Sequence, residues 1–451
     1  MALDGLFGGS LDLHGDGGRD RPAAVRSGRA LAVAVTSIIL AAACTGSKTV
    51  RSSRPSGGVL PTPLSHQANP LCKAPPTPSP SPPASKATLP AAIAKVAQQV
   101  QQVRGLRFKK NVVAEPDTRG QIERQLRASL EAGFPPDVAA REDRAWTTIG
   151  VIPAGADLRQ AVIDYGTTQI IGFYDTQTHR LVFQGGTSPT PYQRFTLAHE
   201  LTHALQDQNF DLSRLDKLTA ACQDERAEAL LSLAEGDAVE TQIRWARQDL
   251  SSGEIKLLQD EASAFPPPPA STPPFVQQLF LFPYGNGQAF VEALLDRGGE
   301  RAVNNAFRNP PVSTEQILHP DKYPSDVPQT VEIPDLSDRL GRGWSLLDQE
   351  DVGEGWLLML LELRLSTGDS EDAAAGWDGG LLRAWSRGSE TAVLIQTAWD
   401  TNRDASEFAE AMRDWIGSQA ARVQQSGATV RAMFGSDRTA LDALRTAAAQ
   451  P

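Results

Sequence analysis

The chain has 451 residues, of which 40% are hydrophobic and 22% charged, and its formal net charge at pH 7 is -11. This length is enough for one large domain or two ordinary ones with a well-buried core. The acidic balance argues against a nucleic-acid-binding protein, which would carry a basic surface. Three cysteines and six histidines are too few for a disulfide scaffold or a cysteine-rich zinc module.

The amino terminus predicts export. Leu31 to Ala43 is a mostly apolar run that follows Arg26 and Arg29 and ends directly before Cys44. A basic segment, an apolar stretch of about 7–15 residues and small residues at the cleavage site are typical of a secretory signal peptide. The run is too short to span a bilayer, for which about 20 apolar residues are needed.

The residues before Cys44 resemble the bacterial lipobox, in which the cysteine becomes the lipidated first residue of the mature protein. They depart from the usual pattern at Ala41, where leucine is usual. The resemblance implies that residues 1–44 are a signal segment and that a lipid on Cys44 anchors an extracytoplasmic protein to the cell membrane. An ordinary cleaved signal peptide with an incidental cysteine is the alternative.

Residues 45–88 predict a disordered spacer, because they are rich in Pro, Ser, Thr and Gly and cannot form a packed core. The spacer would be an inert tether that lifts the folded body off the membrane. The folded region is expected from Leu89 onward.

Apolar spacing and capping residues predict the elements of the body. Helices are expected over 91–103, 118–132, 192–207, 223–250, 287–297, 353–365 and 405–418, and hairpins over 169–183 and 381–399. The proline-rich segment 265–274 must be a loop. These elements predict an α+β fold, with one subdomain over 89–210 and a mainly helical subdomain over 211–451.

The helix predicted over 192–207 contains a candidate metal site, because His199, Glu200 and His203 occur there in the order HELTH. Residues four apart lie on one face of a helix, so both imidazoles can bind a single metal ion. Zn²⁺ lowers the pKa of a bound water towards about 7, and a carboxylate placed like Glu200 can remove its proton. The spacing therefore predicts Zn²⁺ as the cofactor, His199 and His203 as its ligands and Glu200 as the general base.

A catalytic zinc site needs a third protein ligand. Gln206 and Asn209 stand where the metzincin pattern has Gly and His, so that class is excluded. On the following helix, Glu235 lies in an apolar setting and is the preferred ligand, with Glu228 on the same face as the alternative. Asp237 lies about 200° around the helix from Glu235 and is a candidate for orienting a ligand histidine.

The segments HELTHALQDQNFDL, AEGDA, GFYD and PPVSTEQILHPDKY together resemble a group of bacterial lipoprotein-type zinc metallopeptidases related to the gluzincins, the zincins with HExxH and a later glutamate. The resemblance implies a zincin-like fold, in which a small antiparallel sheet packs on the active-site helix, and it implies peptide or protein substrates. It also implies that the hairpin from Ile170 to Phe183 binds extended peptide by strand addition. His319 or Tyr323 would then donate a hydrogen bond to the oxyanion, although a purely structural histidine is the alternative.

The leading hypothesis is therefore a membrane-anchored, extracytoplasmic zinc metallopeptidase. A non-catalytic cell-envelope binding or assembly lipoprotein with a zincin-like fold is the alternative, and hydrolysis of a non-peptide amide in the cell wall is a third. Cys72 and Cys222 are expected to form a disulfide outside the cytoplasm, with two free thiols as the alternative. No pattern in the sequence predicts the cleavage specificity.

Overall fold

The computed structural model describes residues 69–72, 89–168, 170–186, 188–265 and 267–449. The predicted signal segment 1–44, the lipidation site Cys44 and the predicted spacer except residues 69–72 lie outside these ranges. Within the described ranges, no helix combines the length and the apolar composition that a membrane crossing needs.

The described chain contains helices α1 to α15 and strands β1 to β8. The helices are α1 Ala91–Arg104, α2 Arg119–Gly133, α3 Pro136–Ile149, α4 Leu158–Thr168, α5 Pro191–Phe210, α6 Ser213–Ala220, α7 Asp224–Asp249, α8 Ser252–Ser263, α9 Pro274–Arg308, α10 Thr314–Leu318, α11 Ser337–Leu340, α12 Glu354–Glu362, α13 Thr367–Ala374, α14 Asn402–Ile416 and α15 Arg438–Ala448. The strands are β1 Val113–Asp117, β2 Gly172–Asp175, β3 Arg180–Gln184, β4 Ser345–Asp351, β5 Trp377–Arg387, β6 Glu390–Trp399, β7 Ala421–Ser426 and β8 Thr429–Gly435. The described chain combines many helices with two small sheets whose strand pairs are mostly antiparallel, which is compatible with the α+β class.

The first sheet has three strands in the order β1-β3-β2. The predicted hairpin is present as the antiparallel pair β2–β3, with Tyr174 opposite Leu181. β1 pairs with β3 in parallel, so the sheet is mixed rather than antiparallel as expected. β1 was not predicted, because its sequence VAEPD contains a proline and two acids, which strands disfavour.

α5 lies against this sheet and is buried around most of its circumference. Its start is determined locally, since Thr190 and Gln193 form a capping box and Pro191 occupies the first turn. The apolar residues of α5 belong to a core shared with α1, α7 and α8. This packing places HELTH inside the protein rather than on a solvated face.

The long helices α7 and α9 pack closely along each other. α9 continues through Pro283 and consists of two helical segments that meet at Gly298 and Gly299, where the backbone is not helical. Sequence periodicity predicted only 287–297 of it. The interior proline and the aromatic-rich stretch before it concealed the first turns of α9.

The second sheet has five antiparallel strands in the order β4-β5-β6-β8-β7. β5 and β6 form the predicted hairpin over 381–399, whereas β4, β7 and β8 were not predicted. The stretch 211–451 therefore contains this sheet in addition to its helices. β7 is an edge strand with the polar sequence ARVQQS, and such a half-exposed strand has little apolar alternation to predict it.

Candidate metal centre

Three buried side chains from two helices converge, and we call them the His/Glu triad. His199 and His203 come from α5 and Glu235 comes from α7, and each is at most 1% exposed. The His199 Nε2 and His203 Nε2 atoms are 2.9 Å apart. Glu235 Oε2 lies 3.1 Å from the first nitrogen and 3.5 Å from the second. Of the two glutamates left open by the sequence, the structure therefore brings Glu235 to the histidines.

The spacing of the His/Glu triad suits one tetrahedral metal ion. Zinc–nitrogen bonds of about 2.0–2.1 Å at tetrahedral angles separate neighbouring ligand atoms by about 3.3 Å, close to the distances between the three atoms here. Two imidazoles and one carboxylate with no intervening cation form a donor set that borderline-soft Zn²⁺ prefers. A tetrahedral ion held by three side chains would keep a fourth position for another ligand, which is the arrangement of catalytic zinc sites.

A chain of hydrogen bonds orients His203. Gln206 donates through Nε2 to Asp237 Oδ2 at 2.9 Å and to the Ala234 carbonyl at 2.9 Å. Its Oε1 therefore faces His203 Nδ1 at 2.9 Å and must accept the proton of that nitrogen. The Nε2 atom of His203 is then directed to the other members of the His/Glu triad.

Asp237 completes this support, through Gln206 rather than by contacting a histidine itself. Its carboxylate pairs with the fully buried Arg104 at 2.7 Å. The guanidinium also binds Glu300 and donates to Asn304. The second layer of the site thus includes α1 and α9, so four helices determine the orientation of one imidazole.

The electrostatics of the His/Glu triad are strongly coupled. Burial by itself lowers the pKa of His203, but the charges of Glu235 and Glu200 and the hydrogen bonds of Glu235 and Gln206 together outweigh burial and raise the pKa to about 9. Burial likewise raises the pKa of Glu235, and the two histidines outweigh it and lower the pKa to about 2. The folded protein therefore holds a proton at this place that a bound cation would replace.

Glu200 is held beside the His/Glu triad by the edge strand of the first sheet. The Tyr174 amide in β2 donates to Glu200 Oε2 at 2.8 Å, and Glu200 is 1% exposed. The hydroxyl of Tyr174 donates to Asp207 Oδ2 at 2.8 Å, and His179 Nδ1 lies 2.8 Å from the same oxygen. Both the amide and the hydroxyl of Tyr174 thus connect to α5 the hairpin that the sequence predicts as a substrate strand.

Tyr284 in α9 is the aromatic neighbour of the site. Its ring stacks on His199 with ring centroids 6.2 Å apart, and its hydroxyl forms a hydrogen bond with Glu235. Burial, followed by the charges of Glu235 and Glu200, raises the pKa of Tyr284 well above its ordinary value. The phenol is therefore a neutral hydrogen-bond donor at physiological pH.

Glu228, the alternative third ligand, lies in a separate cavity. We call this space the acidic cavity, and its six carboxylates are Glu142, Asp224, Glu225, Glu228, Glu350 and Asp351. Burial, followed by Glu225 and Glu235, raises the pKa of Glu228 to about 8.

His319 and Tyr323, the expected oxyanion donors, have other partners. His319 Nε2 contacts the buried Glu354 at 2.7 Å, and the Tyr323 hydroxyl donates to the Asn309 carbonyl at 2.7 Å. None of their contacts within the described chain involves the His/Glu triad or Glu200. The role that the family resemblance implies for them stays a prediction, and the resemblance did not reveal the pairing of His319 with Glu354.

A second set of carboxylates close enough to hold a metal ion is bound by Lys322 instead. Glu315, Asp326 and Asp400 have carboxylate oxygens close together. The Lys322 ammonium binds all three, at 3.2 Å from Asp326 and 2.8 Å from Asp400. A cation is therefore already supplied there by the chain, and the turn after α10 has a structural role.

Cys72 and Cys222 are joined by a disulfide, with their Cα atoms 6.0 Å apart. The bond attaches the short described segment 69–72 to the end of α6, next to α7. Asn69 adds a 2.7 Å hydrogen bond to the Gln349 carbonyl in β4. The predicted spacer therefore contacts the body here.

Sequence reasoning missed Tyr174, Gln206 and Tyr284 as parts of the site. Gln206 was noted only as a departure from the metzincin pattern, although a polar residue three positions after His203 shares its helix face and could have indicated support for that histidine. Tyr174 acts through its main-chain amide, for which side-chain identity carries no information. Tyr284 reaches the site from a helix that the sequence did not predict at this position.

A family model described as "Domain of unknown function (DUF8575)" matches residues 344–447. The matched range covers the five-stranded sheet and helices α12 to α14 with nearly all of α15, and it excludes the His/Glu triad. No curated protein and no solved structure matches the chain.

Proposed function

We propose that this protein is a zinc-dependent metallopeptidase with a zincin-like active site. The observation that carries the proposal is the convergence of His199, His203 and Glu235 within 3.5 Å of one another in a buried place. Such a set of donors, with a carboxylate next to the first ligand and a neutral phenol beside it, is the constellation that metal-assisted amide hydrolysis needs.

The roles of the residues follow from their positions. His199, His203 and Glu235 would hold Zn²⁺, which when bound lowers the pKa of water and polarises a carbonyl. Glu200 accepts the proton of the attacking water and returns it to the leaving amine. Tyr284 donates its hydroxyl hydrogen to the oxygen of the polarised carbonyl as negative charge develops there.

The substrate would lie along β2. This strand is at the edge of the first sheet, and among the described strands it pairs only with β3. An extended peptide can add to such an edge through main-chain hydrogen bonds. The Tyr174 amide, which donates to Glu200, belongs to this strand, so a peptide added there would lie next to the proposed base.

The proposal includes an extracytoplasmic protein attached to the cell membrane by a lipid on Cys44. Its support is the apolar run 31–43 and the lipobox-like residues before Cys44. Mass spectrometry of the mature amino terminus tests this part, and an unmodified terminus at another residue would contradict it.

The test of the activity combines metal content with hydrolysis. We expect about one zinc per chain, cleavage of a peptide library that a chelator stops, and no cleavage by Glu200→Gln, which should still bind zinc. Glu410→Gln, an exposed glutamate on α14, is the matched control and should cleave normally. Failure of zinc-replete protein to retain the metal would reject the proposal. Bound zinc without any cleavage would favour the non-catalytic envelope-binding alternative.

A further inference from the structure

The proposed peptidase mechanism gives no role to the residues that line the acidic cavity. It encloses about 200 Å³ between α3, the first turns of α7 and the junction of β4 with α12. Two tryptophans, Trp146 and Trp356, and the apolar Leu279 and Met359 contribute to the wall beside the six carboxylates. Glu228 precedes Glu235 by seven residues, so the two lie about 10 Å apart along α7.

The acidic cavity brings six carboxyl groups together without a basic partner from the described chain. Within the described ranges, none of its six carboxylates forms an ion pair, and the neighbouring Arg141 pairs instead with Asp137 and Asp348. Thr314 donates to Glu225 and Trp146 donates to Glu350. Burial first, and then repulsion between carboxylates, raises the pKa of Glu142 and of Glu350 well above the ordinary value. Carboxyl groups crowded in this way stay partly protonated, and a cationic ligand would favour their ionised form.

Two buried polar atoms of the same wall point independently to a ligand. Trp356 is 9% exposed, and its indole Nε1 has no hydrogen-bond partner within the described chain. Glu228 Oε1 is also buried without a partner there. Buried donors and acceptors are nearly always satisfied, so one unmatched donor and one unmatched acceptor on one cavity favour a ligand that has both a positive group and a carbonyl.

The lining distinguishes between kinds of cation. Among the described residues, the groups able to hold a metal ion do not include the carboxylates of the acidic cavity, because no three of their oxygens converge. The indoles and the aliphatic side chains instead suit an organic cation, whose charge can lie against an aromatic face while its methylene stem covers apolar surface.

We propose that the acidic cavity binds the side chain of a basic amino acid residue. The ammonium or guanidinium group lies among Glu228 and the other carboxylates, the methylene stem packs on Trp146 and Trp356, and a carbonyl of the ligand accepts the hydrogen of Trp356 Nε1. The source is either a free basic amino acid or a basic residue within a peptide. Binding does not require metal at the His/Glu triad.

Isothermal titration calorimetry of the chelator-treated and the zinc-loaded protein tests this site. The probes are Nα-acetyl-arginine amide and Nα-acetyl-citrulline amide, which have the same shape but differ in charge. We expect the arginine probe to bind at least about tenfold more tightly, because a charge-assisted hydrogen bond is lost with citrulline, and we expect equal affinity with and without zinc. Free arginine that matches the capped probe would indicate an amino acid as the source, and tighter binding of an arginine tripeptide would indicate a peptide; both results support the site.

Variants locate the binding. Glu228→Gln should weaken arginine-probe binding about tenfold, and Trp356→Phe, which keeps an aromatic ring but removes the N–H, should weaken it several-fold. Glu410→Gln should leave it unchanged, and circular dichroism checks that each variant is folded. The proposal is overturned by equal binding of the citrulline probe, by no binding at millimolar concentration, by normal binding to both folded variants, or by Ca²⁺ binding that the arginine probe does not displace.

Discussion

The backbones of Gly236 in α7 and Gly287 in α9 are in direct contact. A Cβ atom on Gly236 would lie 2.1 Å from the carbonyl carbon of Gly287, and one on Gly287 would lie 2.0 Å from the Ser232 carbonyl oxygen. Glu235 directly precedes this contact and Tyr284 lies one turn before it on α9. Two glycines thus set the distance between the proposed third ligand and the phenol beside it.

Gly236→Ala should therefore be strongly destabilising. The added methyl group meets backbone atoms, which cannot move aside without separating α7 from α9, so we expect a loss of about 3 kcal/mol in the free energy of unfolding. Gly253→Ala is the matched control, because it lies in α8 with open space around it, and it should stabilise the protein by about 0.5–1 kcal/mol. Urea denaturation measures both. Similar stabilities for the two variants would contradict the close helix contact.

Gln206→Met tests the hydrogen-bond chain behind His203. The variant keeps the volume but leaves His203 Nδ1 without its acceptor and removes one of the donors to Asp237, so zinc affinity should fall about 10–100-fold. Competition with a chromophoric chelator measures the change. Gln208→Met on the same helix, where the amide faces the main chain of Lys109 and Lys110, should keep normal affinity. An unchanged affinity in Gln206→Met would show that the imidazole does not depend on this support.

Local patterns predicted much of the site. The i, i+4 spacing of His199 and His203 and the apolar setting of Glu235 depend only on neighbouring residues, and the structure brings all three together. Capping residues likewise predicted the start of α2 after Thr118, and short apolar runs joined by polar segments predicted the β2–β3 and β5–β6 hairpins. These features follow from short-range geometry, which a sequence carries directly.

Contacts between distant segments could not be predicted in this way. The distance between α7 and α9 depends on two glycines 51 residues apart, and Tyr284 reaches His199 only because of that packing. The contact between His319 and Glu354 was missed as well. The helix that contains Glu354 was predicted, but nothing in the sequence indicated that it would contact His319. The acidic cavity combines carboxylates from α3, α7 and β4, which are dispersed over more than 200 residues of the chain.

The stability of the metal-free protein should fall as the pH rises from about 6.5 to 9. The pKa of His203 is raised from 6.5 to about 9, so its contribution is complete below pH 6.5 and is lost as the pH passes the folded value. The pKa of Glu235 is lowered from 4.5 to about 2, so its contribution is present above pH 4.5 and is lost towards pH 2. The pair of His203 and Glu235 therefore contributes most to the free energy of unfolding between about pH 4.5 and 6.5.

Urea denaturation of chelator-treated protein at pH 6 and pH 9 measures this change. The pKa values of carboxyl groups in the acidic cavity are also raised, to about 8 for Glu228 and for Asp351. Their ionisation over this range therefore also lowers the free energy of unfolding. The difference between the natural protein and His203→Gln isolates the pair and should amount to a few kcal/mol at most. An identical pH dependence in both proteins would contradict the coupling of His203 with Glu235.

Tyr284→Phe tests whether Tyr284, rather than the Tyr323 that the family resemblance implies, donates to the oxyanion. If Tyr284 donates to the oxyanion, its loss should lower kcat about 100- to 1,000-fold with little change in KM, while zinc content stays near one per chain. Tyr323→Phe is the matched control, because it removes the phenol that the resemblance favours, and it should keep kcat and lose only the hydrogen bond to the Asn309 carbonyl. The opposite pattern, with activity lost in Tyr323→Phe and kept in Tyr284→Phe, would return the donor to the turn after α10. Zinc released from Tyr284→Phe would instead make the phenol a support for Glu235, with which it forms a hydrogen bond.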